Sequence, residues 1–203
     1  MLSDAYIFII PLLIIALALF VIGGPWAACL PALLAGFVSY FFRNPVRKIP
    51  PGRKLVVSPA DGKIIKVVAA GSGQESGCRV SIFLNVFDVH VNRAPIDGEL
   101  EKLEYRRGRF KVAFDEEAPR VNEQNILTIR GPDATLVMKQ IAGLVARRVV
   151  CWKLVGQKMQ RGEVIGLIRF GSRVDLLLPE NANVIVRVGE RVKGGSSVIA
   201  ELK

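Results

Sequence analysis

The stretch IRFGSRVDLLLP, residues 168–179, reads as a β-strand broken at its centre by Gly171-Ser172. Leu, Val and Ile suit a pleated, half-buried surface, whereas an interior glycine weakens a strand and marks a bulge, a bend or a close backbone approach. The same texture extends outward from it. The runs KIIKVVAA (63–70), CRVSIFLNV (78–86), ILTI (126–129), TLVMKQIAGLVA (135–146), VIGLIRF (164–170) and VIVRV (184–188) are short, apolar and punctuated by glycine, and no long helical pattern follows Phe42. The body of the chain is therefore expected to be mainly β.

An internal echo sharpens that expectation. VGQKMQRG (155–162) and VGERVKGG (188–195) share the pattern V-G-x-x-apolar-x-x-G at an offset of 33 residues, each followed by a short apolar run. Glycine permits the positive φ that such turns need. Similar turns occur in lipoyl and biotinyl carrier domains, and SPADGK (58–63) resembles their opening strand. The resemblance implies a β-sandwich of the barrel-sandwich-hybrid kind. It does not extend to the chemistry, because no Met-Lys-Met or Asp-Lys-Ala stands at a hairpin tip to accept a cofactor.

The amino-terminal segment is of another kind. No charged residue occurs from Ala5 to Phe42, and all 28 Lys and Arg lie from Arg43 onward in a chain of net charge +10. YIFIIPLLIIALALFVI (6–22) and WAACLPALLAGFVSYFF (26–42) each approach the roughly 17 residues needed to cross a bilayer, and Gly23-Gly24-Pro25 between them supplies a turn. A helical membrane hairpin over 1–42 is expected, then a basic, Pro-rich linker over 43–54 and a β-rich domain over 55–203. MLSDAY lacks the positive n-region of a cleaved signal peptide. Arg43, Arg47 and Lys48 at the exit place the body on the cytoplasmic face of the cell membrane by the positive-inside rule. A basic body tethered to an apolar head suits an anionic phospholipid surface better than nucleic acid. Cys29, Cys78 and Cys151 are widely spaced and odd in number, so neither a disulfide framework nor a metal site is expected.

Three polar residues sit among apolar runs: Asp61, His90 (the single histidine) and Ser172. Read singly, Asp61-Gly62 is a β-turn, His90 a packed core imidazole and Gly171-Ser172 a bulge. Together they supply an acid, a base and a hydroxyl, the groups that activate a nucleophile.

Across nearly its whole length the chain resembles the phosphatidylserine decarboxylases, in their short bacterial and archaeal branch. The matching segments are FFRNPVRKIP (41–50), VSPADGKI (57–64), NVFDVHVNRAPIDG (85–98), NEQN (122–125), VMKQIAGLVARRVV (137–150) and GQKMQRGEVIGLIRFGSRVDLLLP (156–179). The resemblance implies a proenzyme that cuts itself between Gly171 and Ser172 into a large β chain (1–171) and a small α chain (172–203), which stay associated; a homo-oligomer is compatible with it. Ser172 becomes a pyruvoyl group, with no metal and no pyridoxal phosphate, and that group forms a Schiff base with phosphatidylserine. Decarboxylation then yields phosphatidylethanolamine and CO2. By the same analogy Asp61 orients and charges His90, which deprotonates Ser172, while Arg93 and Asn92 are assigned to substrate binding. Long-branch members carry His-x-x-His before a proline, and here the second position is Arg93, a poor base but a suitable clamp for carboxylate or phosphate. Archaetidylserine, a soluble amino acid, or a non-catalytic membrane-tethered carrier or adaptor role are the competing readings.

Overall fold

A computed structural model describes residues 3–70, 77–111, 117–144, 148–169 and 172–203, so that Gly171 lies outside the described residues. The chain divides into two compact units, Met1–Val46 and Arg47–Lys203.

In the first unit, α1 (Tyr6–Phe41) counts 36 residues, yet it is not one rod. Gly24 leaves the helical region (φ 76°, ψ −172°) immediately before Pro25. A straight helix of that length would separate its ends by about 54 Å. Instead the rings of Phe8 and Phe42 stack at 5.9 Å, which requires the two arms to fold back on each other. The expected helical hairpin is therefore present, turned by the one glycine whose φ a side chain would resist. Ile14, Leu17, Val21, Trp26, Leu30 and Leu33 are exposed, and α1 is long and apolar enough to cross a membrane. At its end the Arg43 guanidinium lies 3.7 Å from the centre of the Tyr40 ring, a pairing suited to a headgroup interface.

The second unit is built of β1 (Leu55–Val57), β2 (Gly62–Ala70), β3 (Gly77–Leu84), β4 (Val91–Arg93), β5 (Gly98–Arg106), the short α2 (Ala118–Val121), β6 (Gln124–Arg130), β7 (Thr135–Ala142), β8 (Val149–Cys151), β9 (Lys158–Met159), β10 (Val164–Ile168), β11 (Ser172–Leu178), β12 (Ala182–Val184), β13 (Arg191–Val192) and β14 (Val198–Leu202). An eight-stranded sheet runs β13-β2-β3-β11-β7-β6-β5-β9, and two three-stranded sheets run β1-β14-β12 and β4-β10-β8. Alternate residues of β11, Val174, Leu176 and Leu178, share one core with Val80 and Ile82 of β3 and Leu136 and Met138 of β7. The small sheets close that core with Val56, Val149, Ile165 and Ile199. The mainly β expectation holds.

The repeated glycine turns occupy matching places. Gly156, Gly162, Gly189 and Gly195 all have positive φ, between 78° and 97°. Their central apolar residues, Met159 and Val192, are buried on β9 and β13, the two edge strands of the large sheet.

Three expectations are modified. IRFGSRVDLLLP is not one interrupted strand: β10 belongs to a small sheet and β11 to the large one, so the Gly-Ser step falls where the chain passes between sheets. VIVRV is strand only at Val184, because after Ile185 donates its N–H to the Ile199 carbonyl (3.0 Å) the chain leaves the small sheet to form β13 in the large one. The stretch read as a linker is docked from Arg47 onward: the Arg161 guanidinium donates to the carbonyls of Pro50, Gly52 and Leu55.

Candidate active site

Ser172 is the first residue of β11, opposite Leu84 of β3 on one side and Ala142 of β7 on the other. It is fully buried, and its Oγ has no hydrogen-bond partner among the described residues. Burying a hydroxyl without a partner costs about 1–3 kcal/mol, which folding alone gives no reason to accept. β10, which ends at Ile168, and β11, which begins at Ser172, belong to different sheets.

His90 is also fully buried and precedes β4. Its carbonyl accepts the Ile168 N–H at 3.3 Å, at the end of β10, while Leu84, the cross-strand partner of Ser172, begins the loop that leads to His90. Both chain segments that flank residues 169–171 are thus tied to the His90 loop. That loop is a locally determined turn: Asp88 Oδ2 accepts the Asn85 N–H (2.9 Å), and Asn85 Oδ1 accepts the Phe87 N–H (2.8 Å). Nδ1 of His90 lies 2.9 Å from the Asp88 carbonyl. A carbonyl only accepts, so Nδ1 carries the proton and, in the neutral ring, Nε2 carries the lone pair of a base.

Asp61 takes partners other than the expected imidazole. Both its oxygens accept from Arg47 Nη2, at 2.8 and 2.7 Å, and Oδ1 also accepts the Gly194 N–H at 2.7 Å. One guanidinium nitrogen thus bridges both carboxylate oxygens, a charge-assisted contact stronger than a neutral hydrogen bond. Arg93 is buried nearby and donates from Nη1 to the Gly162 carbonyl at 2.8 Å. Burial, followed by the Arg47 charge, pushes its guanidinium below the ordinary value, and Asp61 partly offsets this. Arg47 meets the Asp61 carboxylate through hydrogen bonds and Arg93 feels it electrostatically.

Asn92, between His90 and Arg93, belongs to a chain of amides. Its Oδ1 accepts from Gln140 Nε2 at 2.8 Å, and Gln140 Oε1 accepts from Asn125 Nδ2 at 3.0 Å. Gln140 and Asn125 went unnoticed as site residues at the level of sequence; the available signal was a lone amide inside the apolar run TLVMKQIAGLVA. Arg47 was masked by its place in a basic segment. On the opposite face of the large sheet, Arg173 forms a buried pair with Asp175 (Nε to Oδ1, 2.6 Å) and donates to Ser81 Oγ (2.9 Å), which anchors β11 to β3 just beyond Ser172. Among the described residues no group of three His, Cys, Asp or Glu side chains is placed to hold a metal ion.

A buried serine hydroxyl without a partner among the described residues, at the head of a strand whose neighbour leads into the loop of a buried histidine, is suited to act as a nucleophile once a base reaches it. The phosphatidylserine decarboxylase family model matches residues 34–200. A phosphatidylserine decarboxylase proenzyme of Solibacter usitatus is 51% identical over 179 residues, covering 88% of this chain and 85% of the relative. Those of Syntrophus aciditrophicus and Cupriavidus pinatubonensis are each 45% identical, over 89% and 96% of this chain and 87% and 89% of the relative. With a buried serine at the junction of two sheets and likeness over almost the full length, the chain belongs to the phosphatidylserine decarboxylase family.

Proposed function

We propose that this protein is a proenzyme that cuts itself between Gly171 and Ser172 and then decarboxylates phosphatidylserine to phosphatidylethanolamine at a membrane surface. The observation that carries the reading is the Ser172 hydroxyl: fully buried, without a hydrogen-bond partner among the described residues, and at the start of a strand in a member of this family.

In the maturation step His90 Nε2 takes the Ser172 Oγ proton while Oγ bonds to the carbonyl carbon of residue 171. The tetrahedral centre collapses with loss of the Ser172 nitrogen, which regains a proton, leaving an ester. Loss of the Ser172 α-proton then releases the carboxylate of chain 1–171, and water converts the unsaturated terminus of chain 172–203 to a ketone with release of ammonia. The residues present fit such a terminus, since position 172 is enclosed and held on both sides by β3 and β7. A pyruvoyl group there supplies the electron sink that lets the substrate carboxylate depart as CO2.

The chain's own residues then bind and orient. Arg93 and Asn92 are assigned to the substrate headgroup, whose carboxylate and phosphate suit a guanidinium and an amide N–H that are both buried. Asp61 contributes by holding Arg47 and tempering the charge of the Arg47–Arg93 pair. His90 holds or returns a proton at the reacting carbon. Anchorage through the α1 hairpin, with the body on the cytoplasmic face, keeps the site at the level of a lipid that does not leave the bilayer.

Intact mass of the purified protein tests the reading: fragments 1–171 and 172–203 are expected, the second with a blocked, carbonyl-reactive terminus. Full-length protein that still makes phosphatidylethanolamine would end it. Side-by-side assays with phosphatidylserine, archaetidylserine and free serine decide the substrate class, and the exposed apolar hairpin favours a lipid.

A further inference from the structure

We infer that the face of the large sheet turned away from the core carries an anion site, separate from Ser172, that takes a phosphate group between Arg79, Arg120 and Arg173. Its existence does not depend on self-cleavage or on decarboxylation.

Strand register gathers the cations on one face. Val80 and Ile82 of β3 belong to the core, so Arg79 and Ser81, which alternate with them, belong to the other face. Pairing carries that face across three strands: Val68 and Leu177 flank Arg79, and Lys66 and Asp175 flank Ser81. Arg173 lies there too, because it donates to Ser81 Oγ at 2.9 Å and to Asp175 Oδ1 at 2.6 Å. With Arg120 of α2, the side chains of Lys66, Arg79 and Arg173 line a cavity of about 370 Å³. That volume falls within the roughly 300–1,000 Å³ of small-ligand sites.

The cations of the lining are only partly answered by the protein. Glu117 is the one carboxylate in the lining, and it also pairs with Lys111. Asp175 answers Arg173 from within the sheet. Arg79 and Arg120 have no carboxylate partner among the described residues, and Arg79 Nε is buried without a hydrogen bond there. A buried guanidinium N–H is costly to leave open unless a ligand supplies the acceptor. Arginine donates through a planar fork that fits phosphate and carboxylate oxygens alike. A phosphate, however, presents oxygens in several directions and can meet donors that arrive from β3, β11 and α2, whereas a carboxylate offers two in one plane. The phosphate can belong to free inorganic phosphate or to a phospholipid headgroup. Arg173 directly follows Ser172, so a bound phosphate also braces the head of β11 from the face opposite the serine.

Isothermal titration of the purified full chain in detergent with inorganic phosphate, at constant ionic strength in chloride, tests the site. Saturable binding is expected, and Arg79→Gln and Arg120→Gln should each weaken it about tenfold or more, the effect of losing a charge-assisted hydrogen bond. Arg120 is exposed, so its variant removes a lining charge without disturbing the fold. Arg187→Gln, at an exposed arginine outside the lining, should bind as the parent does. Absence of saturable binding, or parent affinity in both Arg79→Gln and Arg120→Gln, overturns the inference. Equal weakening by Arg187→Gln overturns it as well, since the effect would then be one of net charge. Dihexanoyl phosphatidylglycerol, kept monomeric and competed against inorganic phosphate, separates the two sources: displacement assigns the site to a lipid headgroup, and lack of displacement assigns it to free phosphate. Because the readout is binding, an uncut chain can still show the site, and a chain that is cut normally can still lack it.

Discussion

The carbonyl of Asp88 stands 2.9 Å from Nδ1 of His90, and the Asp88 carboxylate is fixed independently by the Asn85 N–H and by Arg191. The orientation of the imidazole is therefore set by backbone, within two residues of the ring. His90→Ala is expected to slow self-cleavage about 10²–10⁴-fold, the usual range for loss of a general base. Time-resolved intact mass checks this, and an unchanged half-time would assign the base elsewhere. Arg191→Ala should have little effect, because the Arg191 side chain is 66% exposed, such a pair is worth about 0–1 kcal/mol, and Asp88 keeps the Asn85 N–H.

Ser172→Ala should remain a single chain without losing its fold. The Oγ makes no hydrogen bond among the described residues, so its removal orphans no described partner and relieves a buried polar atom. Stability is expected to stay within about 1 kcal/mol of the uncut parent or to rise. Urea unfolding of Ser172→Ala, compared with His90→Ala caught before cleavage, gives the comparison.

Arg47 joins the segment before β1 to Asp61, with both side chains largely buried. Arg47→Met leaves that carboxylate with the Gly194 N–H as its remaining donor, and should destabilise the Ser172→Ala chain by about 3 kcal/mol. Arg47→Met combined with Asp61→Leu should cost less than the sum of the two single changes, since neither charge is then left behind. Denaturant midpoints of the four chains close this cycle, and strict additivity would mean that the two groups do not interact.

Gly166 faces the amide chain. A Cβ added there would lie 2.2 Å from the Val150 carbonyl oxygen and 2.9 Å from Gln140 Nε2. Gly166→Ala is expected to push β10 from β8, displace Gln140 and impair both folding and self-cleavage. Gly189→Ala, at φ 97° with open space around it, should cost only the backbone strain of about 1–2 kcal/mol and still be cut. Comparing the fragment yields of the two variants separates crowding at the site from strain at a turn.

The full chain should stay with lipid vesicles through a high-salt wash. The apolar residues exposed on α1 associate by burying surface, which salt does not screen, whereas the +10 net charge alone would release. Flotation with and without salt checks this; release by salt would reduce the hairpin to an electrostatic contact.

Much of this architecture was legible in local patterns. The uncharged run from Ala5 to Phe42, with Gly24-Pro25 near its middle, specifies two apolar helices, and Gly156, Gly162, Gly189 and Gly195 mark turns because each adopts a φ that other residues resist. The alternation in SRVDLLL specifies a strand with one face in a core. Ser172, His90 and Asp61 were each conspicuous as polar residues among apolar neighbours. None of these readings needs more than a few residues on either side, which is the range over which propensity, φ restriction and side-chain periodicity act.

What each polar residue touches was decided only when the chain had folded. Asp61 lies 14 residues from Arg47 and 133 from Gly194, and Gln140 lies 48 from Asn92, so no local rule relates them. Sheet order and register bring them together: the Asp61 carboxylate accepts from Arg47 and from the Gly194 N–H, and Nδ1 of His90 lies against the Asp88 carbonyl. The apparent break at Gly171-Ser172 has the same origin. Sequence determined that β structure flanks the step; only the assignment of β10 and β11 to different sheets, each closed by long-range hydrogen bonds, made it a junction that leaves a serine hydroxyl buried and unpaired.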